Sequence, residues 1–415
     1  MNKNFLALGL AAALLAPQVA GAEGFAINEW SAEGVAMGGA RMFAEDDAAN
    51  VAYNPASITK VKGEVMKSSY TYLSPHGNYK LYDSNNDEIK GEPTHNKVHA
   101  GWAVGTYYVR QINDKEWFGI GAFPRFAMVS EFERESNASS NAFFSKLNGV
   151  SVTPTYAHKF DKKWSAAVGA EINYVGLELQ KNSYDPRVQM NVGATQTEGE
   201  SYALGWNAAA NYAFDDKNEI GVVYRSRITH SLEADFKMYP ASGGKITADA
   251  YGVVTLPDSW DIGYNHKFDK KTRLELKATR TNWSTYDALN VYFDKLVFGK
   301  PNALSDKNWE NGWRYAIGLE HNLSDKYAVM AGFAFDESSI PYEGGDFMVP
   351  TGLRRTYSIG ARYNDKKQTV AVALGWMDVG TLDFAGHPEK GDAYSSAHAY
   401  DSFTKIASIS YQRKF

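Results

Sequence analysis

From about Gly63 to the C-terminus, apolar and polar side chains alternate with a period of two, the mark of strands whose two faces meet different surroundings. Trp260, Ile262, Tyr264, His266 and Phe268 share one face, against Asp261, Gly263, Asn265 and Lys267 on the other. Tyr202, Leu204, Trp206, Ala208, Ala210, Tyr212 and Phe214 oppose Ala203, Gly205, Asn207, Ala209, Asn211 and Ala213. Trp313, Tyr315, Ile317 and Leu319 stand in the same way against Arg314, Ala316, Gly318 and Glu320. The pattern predicts strands with large apolar side chains facing out and small or polar ones facing in. A soluble sandwich alternates too, so periodicity alone does not choose between water and lipid outside.

Short charged turns punctuate the alternation: Asn113-Asp114-Lys115, Asp161-Lys162-Lys163, Asp215-Asp216-Lys217, Asp269-Lys270-Lys271, Ser324-Asp325-Lys326 and Asp365-Lys366-Lys367. Their first residues lie 48, 54, 54, 55 and 41 positions apart, room for two strands and one longer connection each time. Phe160, Phe214 and Phe268 directly precede such turns, so aromatic rings recur at one height, as an interfacial girdle requires. The chain ends on Phe415 in an alternating strand that holds Ile409 and Tyr411. These features decide for lipid. Residues 63–415 are predicted to form an all-β, antiparallel transmembrane β-barrel of about 14 strands, closed so that no backbone amide is left unpaired in the bilayer. The longer connections fall near residues 74–97, 128–147, 182–200, 234–252, 287–308, 337–352 and 379–401 and are predicted as external loops.

Residues 23–62 lie outside the alternation. A barrel this wide is not filled by its own side chains, so this Gly- and Ala-rich segment is expected to fold inside the lumen as a plug. Ahead of it, Lys3, an apolar run from Phe5 to Ala16 and the small-residue stretch Ala20-Gly21-Ala22 read as a secretory signal, residues 1–22. The composition fits: 14% aromatic residues and 36 glycines favour aromatic-banded sheet, and no later run approaches the ~18 apolar residues a spanning helix needs. With no cysteine there is no thiol chemistry or disulfide frame, and a net charge of -5 gives no argument for nucleic acid.

The stretch "GFAINEWSAEGVAMGGARMFAEDDAANVAYNPASI" resembles the N-terminal hatch of FadL-like outer-membrane transporters for long-chain fatty acids and other hydrophobic compounds. The likeness extends to "TLPDSWDIGYNHKF", "TRTNWSTYDAL" and "WRYAIGLEHNLSDKYAVMAGFAFDESSIP". It implies a 14-stranded barrel with a hatch in its lumen, located in the bacterial outer membrane. It further implies passive uptake of a hydrophobic small molecule and its lateral release into the membrane through a kink in the third strand. Outer-membrane lipid and lipopolysaccharide would surround a monomer; no cofactor, metal or enzymatic activity is implied. The third strand would be "WFGIGAFPRFAMVSEF", and Pro124 within it cannot donate to a ladder, which marks the place of the lateral opening; the alternative is a strand that simply ends there.

Further residues carry the resemblance. Phe25 occupies the place of the hatch aromatic that lines the family's inner binding site, and Asn54-Pro55-Ala56 matches the family tripeptide associated with shaping or gating the plug. Lys307 and Arg314 lie where the family carries basic substrate-binding residues, whereas Gly176 stands where a family arginine is expected, which weakens a fatty acid as the substrate. By the alternation alone, Arg225, Arg314, Arg354, Arg362, Glu171, Glu275 and Glu320 are also predicted to point inward, and wall-to-plug salt bridges are the commoner explanation for such residues. Val291, Phe293, Val297 and Phe298 make the 287–308 loop apolar enough to capture a hydrophobic ligand or to pack on its neighbours. Two rivals stand beside the transporter: a general diffusion porin and, with less support, a membrane-embedded lipolytic enzyme.

Overall fold

A computed structural model describes residues 24–90, 94–98, 100–297 and 299–415. The signal segment, residues 1–22, and Phe298 lie outside the described residues. The alternating region folds into a closed antiparallel barrel of 14 strands. The first six are β1 (Glu64–Tyr82), β2 (Gly101–Gln111), β3 (Glu116–Glu131), β4 (Phe144–Lys159), β5 (Trp164–Asp185) and β6 (Met190–Ala213). Four interrupted strands follow: β7 (Asn218–Arg225 and Ile228–Pro240), β8 (Ile246–Leu256 and Ser259–Lys267), β9 (Thr272–Thr281 and Ala288–Val297) and β10 (Lys300–Asp306 and Gly312–Asn322). The wall is completed by β11 (Tyr327–Asp336), β12 (Arg354–Asn364), β13 (Gln368–Val379 with Leu382–Ala385) and β14 (Ser396–Lys414). Closure comes from β1 against β14, in register from Val65↔Lys414 to Tyr82↔Ser396 with one irregularity near Gly77.

The two faces sort as the alternation predicts. Val168, Ile172, Tyr202, Leu204, Trp206, Trp260, Ile262, Ile317 and Leu319 are exposed on the outside, while Glu171, Asn173, Asn207, Asn211, Asp261, Asn265 and Glu320 are buried inside. Phe160, Phe214 and Phe268 are exposed at the short-turn end. The charged turns have a common mechanism. Asp161 Oδ1 accepts from the amides of Lys163 (2.7 Å) and Trp164 (2.8 Å), and Asp215, Asp269 and Asp365 cap their own turns in the same way. A side chain that bonds its own backbone two residues on stabilises a tight turn without help from the rest of the fold.

At the opposite end the strands outrun the sequence prediction. β5 and β6 are 22 and 24 residues long, about twice what a tilted strand needs to cross the bilayer. The segments predicted as loops at 182–200, 234–252 and 287–308 are therefore largely paired hairpin extensions rather than loops. Beyond the lipid both strand faces meet polar surroundings, so the alternation loses its contrast while the ladder continues.

The segment from Gly24 to Lys62 lies inside the ring, and nearly all of it is buried. It carries helix α1 (Ala32–Ala36), helix α2 (Asn50–Tyr53) and a 3-10 helix (Pro55–Lys60). Its partners come from all around the wall: Ala32 N donates to Ser410 Oγ (2.8 Å), Met42 N to Glu275 Oε2 (2.6 Å), Ala48 N to Gln412 Oε1 (2.9 Å), and Tyr107 Oη donates to Trp30 O (2.9 Å). Short helices leave most of their end groups without intrahelical partners; here Ser410 of the wall meets Ala32 N, and Ser31 and Asn54 of the plug meet the amides of Gly34 and Ala56.

Candidate functional site

The lower lumen is a layer of paired charges. Lys67 of β1, 1% exposed, reaches Glu33 (2.7 Å) and Asp47 (2.9 Å) of the plug, and Arg41 of the plug bridges Asp47 (3.1 Å) to Glu320 of β10 (3.0 Å). Glu320 also receives Arg273 (3.0 Å) and Arg362 (2.7 Å), and Glu275 pairs with Arg273. Buried ions at such density hold only because each has an opposite charge in contact. Arg314 makes a similar buried pair farther up β10, toward the outer end of its register with β11. It pairs with Asp336 (2.7 Å) and donates to Gly38 O (2.9 Å), so it fastens the wall to the plug.

Asn54-Pro55-Ala56 is where α2 passes into the 3-10 helix. Asn54 Oδ1 accepts from Ala56 N (3.1 Å) as the cap, Pro55 takes the first helical position, and Asn54 Nδ2 donates to Asn211 Oδ1 of β6 (2.8 Å). Proline fits there because that position has no intrahelical use for an N–H. The tripeptide is thus both a cap and an attachment to the wall.

The upper lumen is aromatic. Phe25, 1% exposed, sits among Trp283 (ring centroids 4.6 Å apart), Tyr286 (5.5 Å), Trp309 (5.7 Å) and Phe126 (6.0 Å), mostly edge to face. Gly24 has φ +65°, and a Cβ there would come within 2.6 Å of the Trp309 ring, so only glycine lets the chain enter this cage. The indole N–H of Trp283 is buried with no hydrogen-bond partner among the described residues. Sequence reading found Phe25 but missed its cage. Trp283 and Tyr286 lie in "TRTNWSTYDAL", and the signal was two aromatics beside a break in the strand alternation.

Phe126 connects the cage to a break in the wall. The β2–β3 ladder runs from Gln111↔Trp117 to Thr106↔Ala122 and stops. From there β3 turns inward, keeping its pairing with β4 through a bulge at Arg125 between Pro124 and Phe126. The plug pairs with the kinked stretch: Ala127 N donates to Phe25 O and Ile27 N to Arg125 O, both 2.9 Å. Trp30 Nε1 donates to Pro124 O (2.6 Å). At the top, Lys97 N bonds Glu131 O (2.8 Å), so the break is a window bounded above and below. Pro124 does not end β3, which continues to Glu131.

The remaining predicted residues lie apart. Lys307, 3% exposed, pairs with Asp346 at the outer end of the lumen, two residues from Trp309. Val291, Phe293 and Val297 pack against Phe236, Met238, Ala248 and Ala250 in the hairpin extensions of β7 to β9, with Phe236 and Phe293 rings 4.9 Å apart. Their apolar character joins neighbouring hairpins. Among the described residues no group of His, Asp or Glu is arranged to hold a metal ion.

A barrel with a filled lumen, a side window and an aromatic cage at the window narrows the comparison with known proteins. Residues 13–412 match the family described as Outer membrane protein transport protein (OMPP1/FadL/TodX). The chain belongs to this family. It is 24% identical to a long-chain fatty acid transport protein of Escherichia coli (strain K12), over 89% of this chain and 91% of that one. The crystal structure of a Pseudomonas aeruginosa FadL homologue superposes with a TM-score of 0.85 at 18% identity, covering 94% of this chain and 100% of that one. The Ralstonia pickettii toluene transporter TbuX superposes at 0.70 with 16% identity, covering 94% and 99%. The FadL-like resemblance, the 14-stranded barrel and the outer-membrane location are thereby established, and the short-turn end of the barrel is its periplasmic end.

Proposed function

We propose that this family member carries hydrophobic small molecules passively from the external hairpins to the cage around Phe25 and out sideways, through the β2–β3 window, into the outer membrane. The observation that carries this reading is contact between the two parts: Phe126 is a wall of the Phe25 cage and the second residue beyond Pro124 in the kinked strand. Lateral exit has a favourable direction, because apolar surface leaving water for lipid gains roughly 25 cal/mol per Å². With Phe25 seated the route is shut, so a ligand would have to replace the Phe25 ring among Trp283, Tyr286 and Trp309.

The same reading favours an uncharged substrate over a carboxylate. Lys307 and Arg314 already hold Asp346 and Asp336, so an incoming carboxylate would have to displace a buried partner from either one. Uptake of radiolabelled toluene and oleate by cells carrying the protein as their sole transporter of this kind tests both points. Pro124→Ala combined with a substitution that lets β2 and β3 re-pair is expected to abolish uptake, and unchanged uptake would remove lateral exit. Faster transport of oleate than of toluene would remove the neutral-substrate reading. Large, stable single-channel currents in a planar bilayer would favour a diffusion porin instead.

A further inference from the structure

A window in a β-barrel is held against a strong tendency to close. Within lipid every unpaired N–H and C=O is costly, and β2 and β3 are already zipped up to Thr106↔Ala122, so the next pairs need only a small movement of β3 toward β2. Pro124 removes one donor from the stretch, yet Phe123 and the residues after Arg125 retain theirs. The plug's bonds to Pro124 O, Arg125 O and Ala127 N hold β3 from one side, and a second hold reaches it from across the lumen.

The side chain of the bulge residue makes this second hold. Arg125 is 4% exposed and spans the lumen: Nη1 donates to Glu171 Oε1 (3.2 Å) and Oε2 (3.1 Å) of β5 and to Ser226 O (3.2 Å), and Nη2 donates to Pro257 O (3.1 Å). Its two carbonyl partners lie where β7 and β8 are interrupted, and those interruptions turn the carbonyls away from the ladder. At the first, Ser226 N still donates to Trp206 O (2.9 Å), but Trp206 N donates to Ser226 Oγ (2.9 Å) rather than to the Ser226 carbonyl. At the second, Pro257 has no N–H to give. Glu171 is held in turn by Ser151 Oγ (2.6 Å), so the acceptor for Arg125 is itself positioned. One guanidinium thus ties the kink to three other strands through its planar fork, which a lysine ammonium cannot match geometrically.

We propose that Arg125 is the positioning residue of the lateral window, bracing β3 inward against β5, β7 and β8. This rests on the lateral-exit reading only for its transport consequence; the brace itself is a statement about strand position. Because the chain has no cysteine, Trp102→Cys on β2 and Val129→Cys on β3 give a unique pair for spin labels in vesicles containing lipopolysaccharide. In Arg125→Met and in Glu171→Gln the label separation is expected to fall by about one strand spacing, ~5 Å. Uptake of radiolabelled toluene is expected to fall about tenfold in both, with Arg125→Lys intermediate because it keeps the charge pair and loses the fork. Retention of the heat-sensitive mobility of the folded barrel on gels shows that each variant has closed. Unchanged separation in both folded variants overturns the brace. A shortened separation with undiminished uptake supports the brace and overturns lateral exit.

Discussion

The two halves of the lumen are filled by different forces. At the periplasmic half the plug meets the wall through ions: Lys67, Arg41, Arg273 and Arg362 against Glu33, Asp47, Glu275 and Glu320. At the outer half the Phe25 side chain meets the wall through rings, and its backbone carbonyl accepts from Ala127 N. An ion pair in a dry site is directional, and removing one partner strands the other. A ring in an aromatic cage is held by dispersion and shape, and a ligand of like shape makes equivalent contacts. On the proposed route the plug stays anchored at its base and gives way to the ligand at its tip.

The largest effect is expected where a buried acid is stranded. Lys67→Met leaves Glu33 without its cation and is expected to destabilise the folded barrel by about 3–5 kcal/mol, read as a lowered urea midpoint together with new ion conductance through the loosened lumen. Phe25→Ala should cost about 3 kcal/mol of packing. Its effect is expected to stay local: faster hydrogen exchange at Ala127, whose amide bonds Phe25 O, with the midpoint of the barrel little moved. If Phe25→Ala lowers the global midpoint as much as Lys67→Met, the tip is as structural as the base. Asn54→Ala removes the cap and the Asn211 bond, an expected loss of about 1 kcal/mol by urea titration.

The smallest effect lies in the periplasmic turns. The carboxyls of Asp161, Asp269 and Asp365 are held below the ordinary aspartate range by the turn amides that donate to them, and that of Asp215 chiefly by the Asn218 side chain and then by the Lys217 amide. A folded value below the unfolded one stabilises above the unfolded value, about 3.9, and that contribution fades as pH falls through the folded values. Thermal midpoints should thus be flat between pH 7 and about 5 and decline below about 4. Replacing all four with asparagine should flatten the decline.

Much of this fold was legible because each barrel strand divides lipid from lumen, so every second residue reports its side. The inward placement of Arg225, Arg314, Arg354, Glu171, Glu275 and Glu320 followed from that rule alone. The turns were legible because a single Asp, Asn or Ser builds each one locally. The outer hairpins were not: in Trp164–Asp185 and Met190–Ala213 the alternation loses contrast beyond the lipid although pairing persists. At the site, Phe25 and Pro124 were visible as residues of unusual type for their positions. Trp283, Tyr286 and Trp309 were not, since only the closure of the ring brings them to Phe25. Arg125 stood beside Pro124 in plain sight, but its role depends on interruptions about a hundred residues away.

The seam between β1 and β14 joins the first and last strands of the barrel, and the plug fastens to both of them. Lys67 of β1 holds Glu33 and Asp47, while Ser410 and Gln412 of β14 receive the amides of Ala32 and Ala48. The contacts to Ser410 and Gln412 do not exist until the last strand has arrived, whereas Lys67 can hold the plug to β1 before then. Completing the plug's attachment and zipping the seam are consequently coupled in assembly, delayed by the longest loop closure in the molecule. A half-built barrel lacks the β14 half of that attachment, and its first and last strands stay open edges until the seam forms.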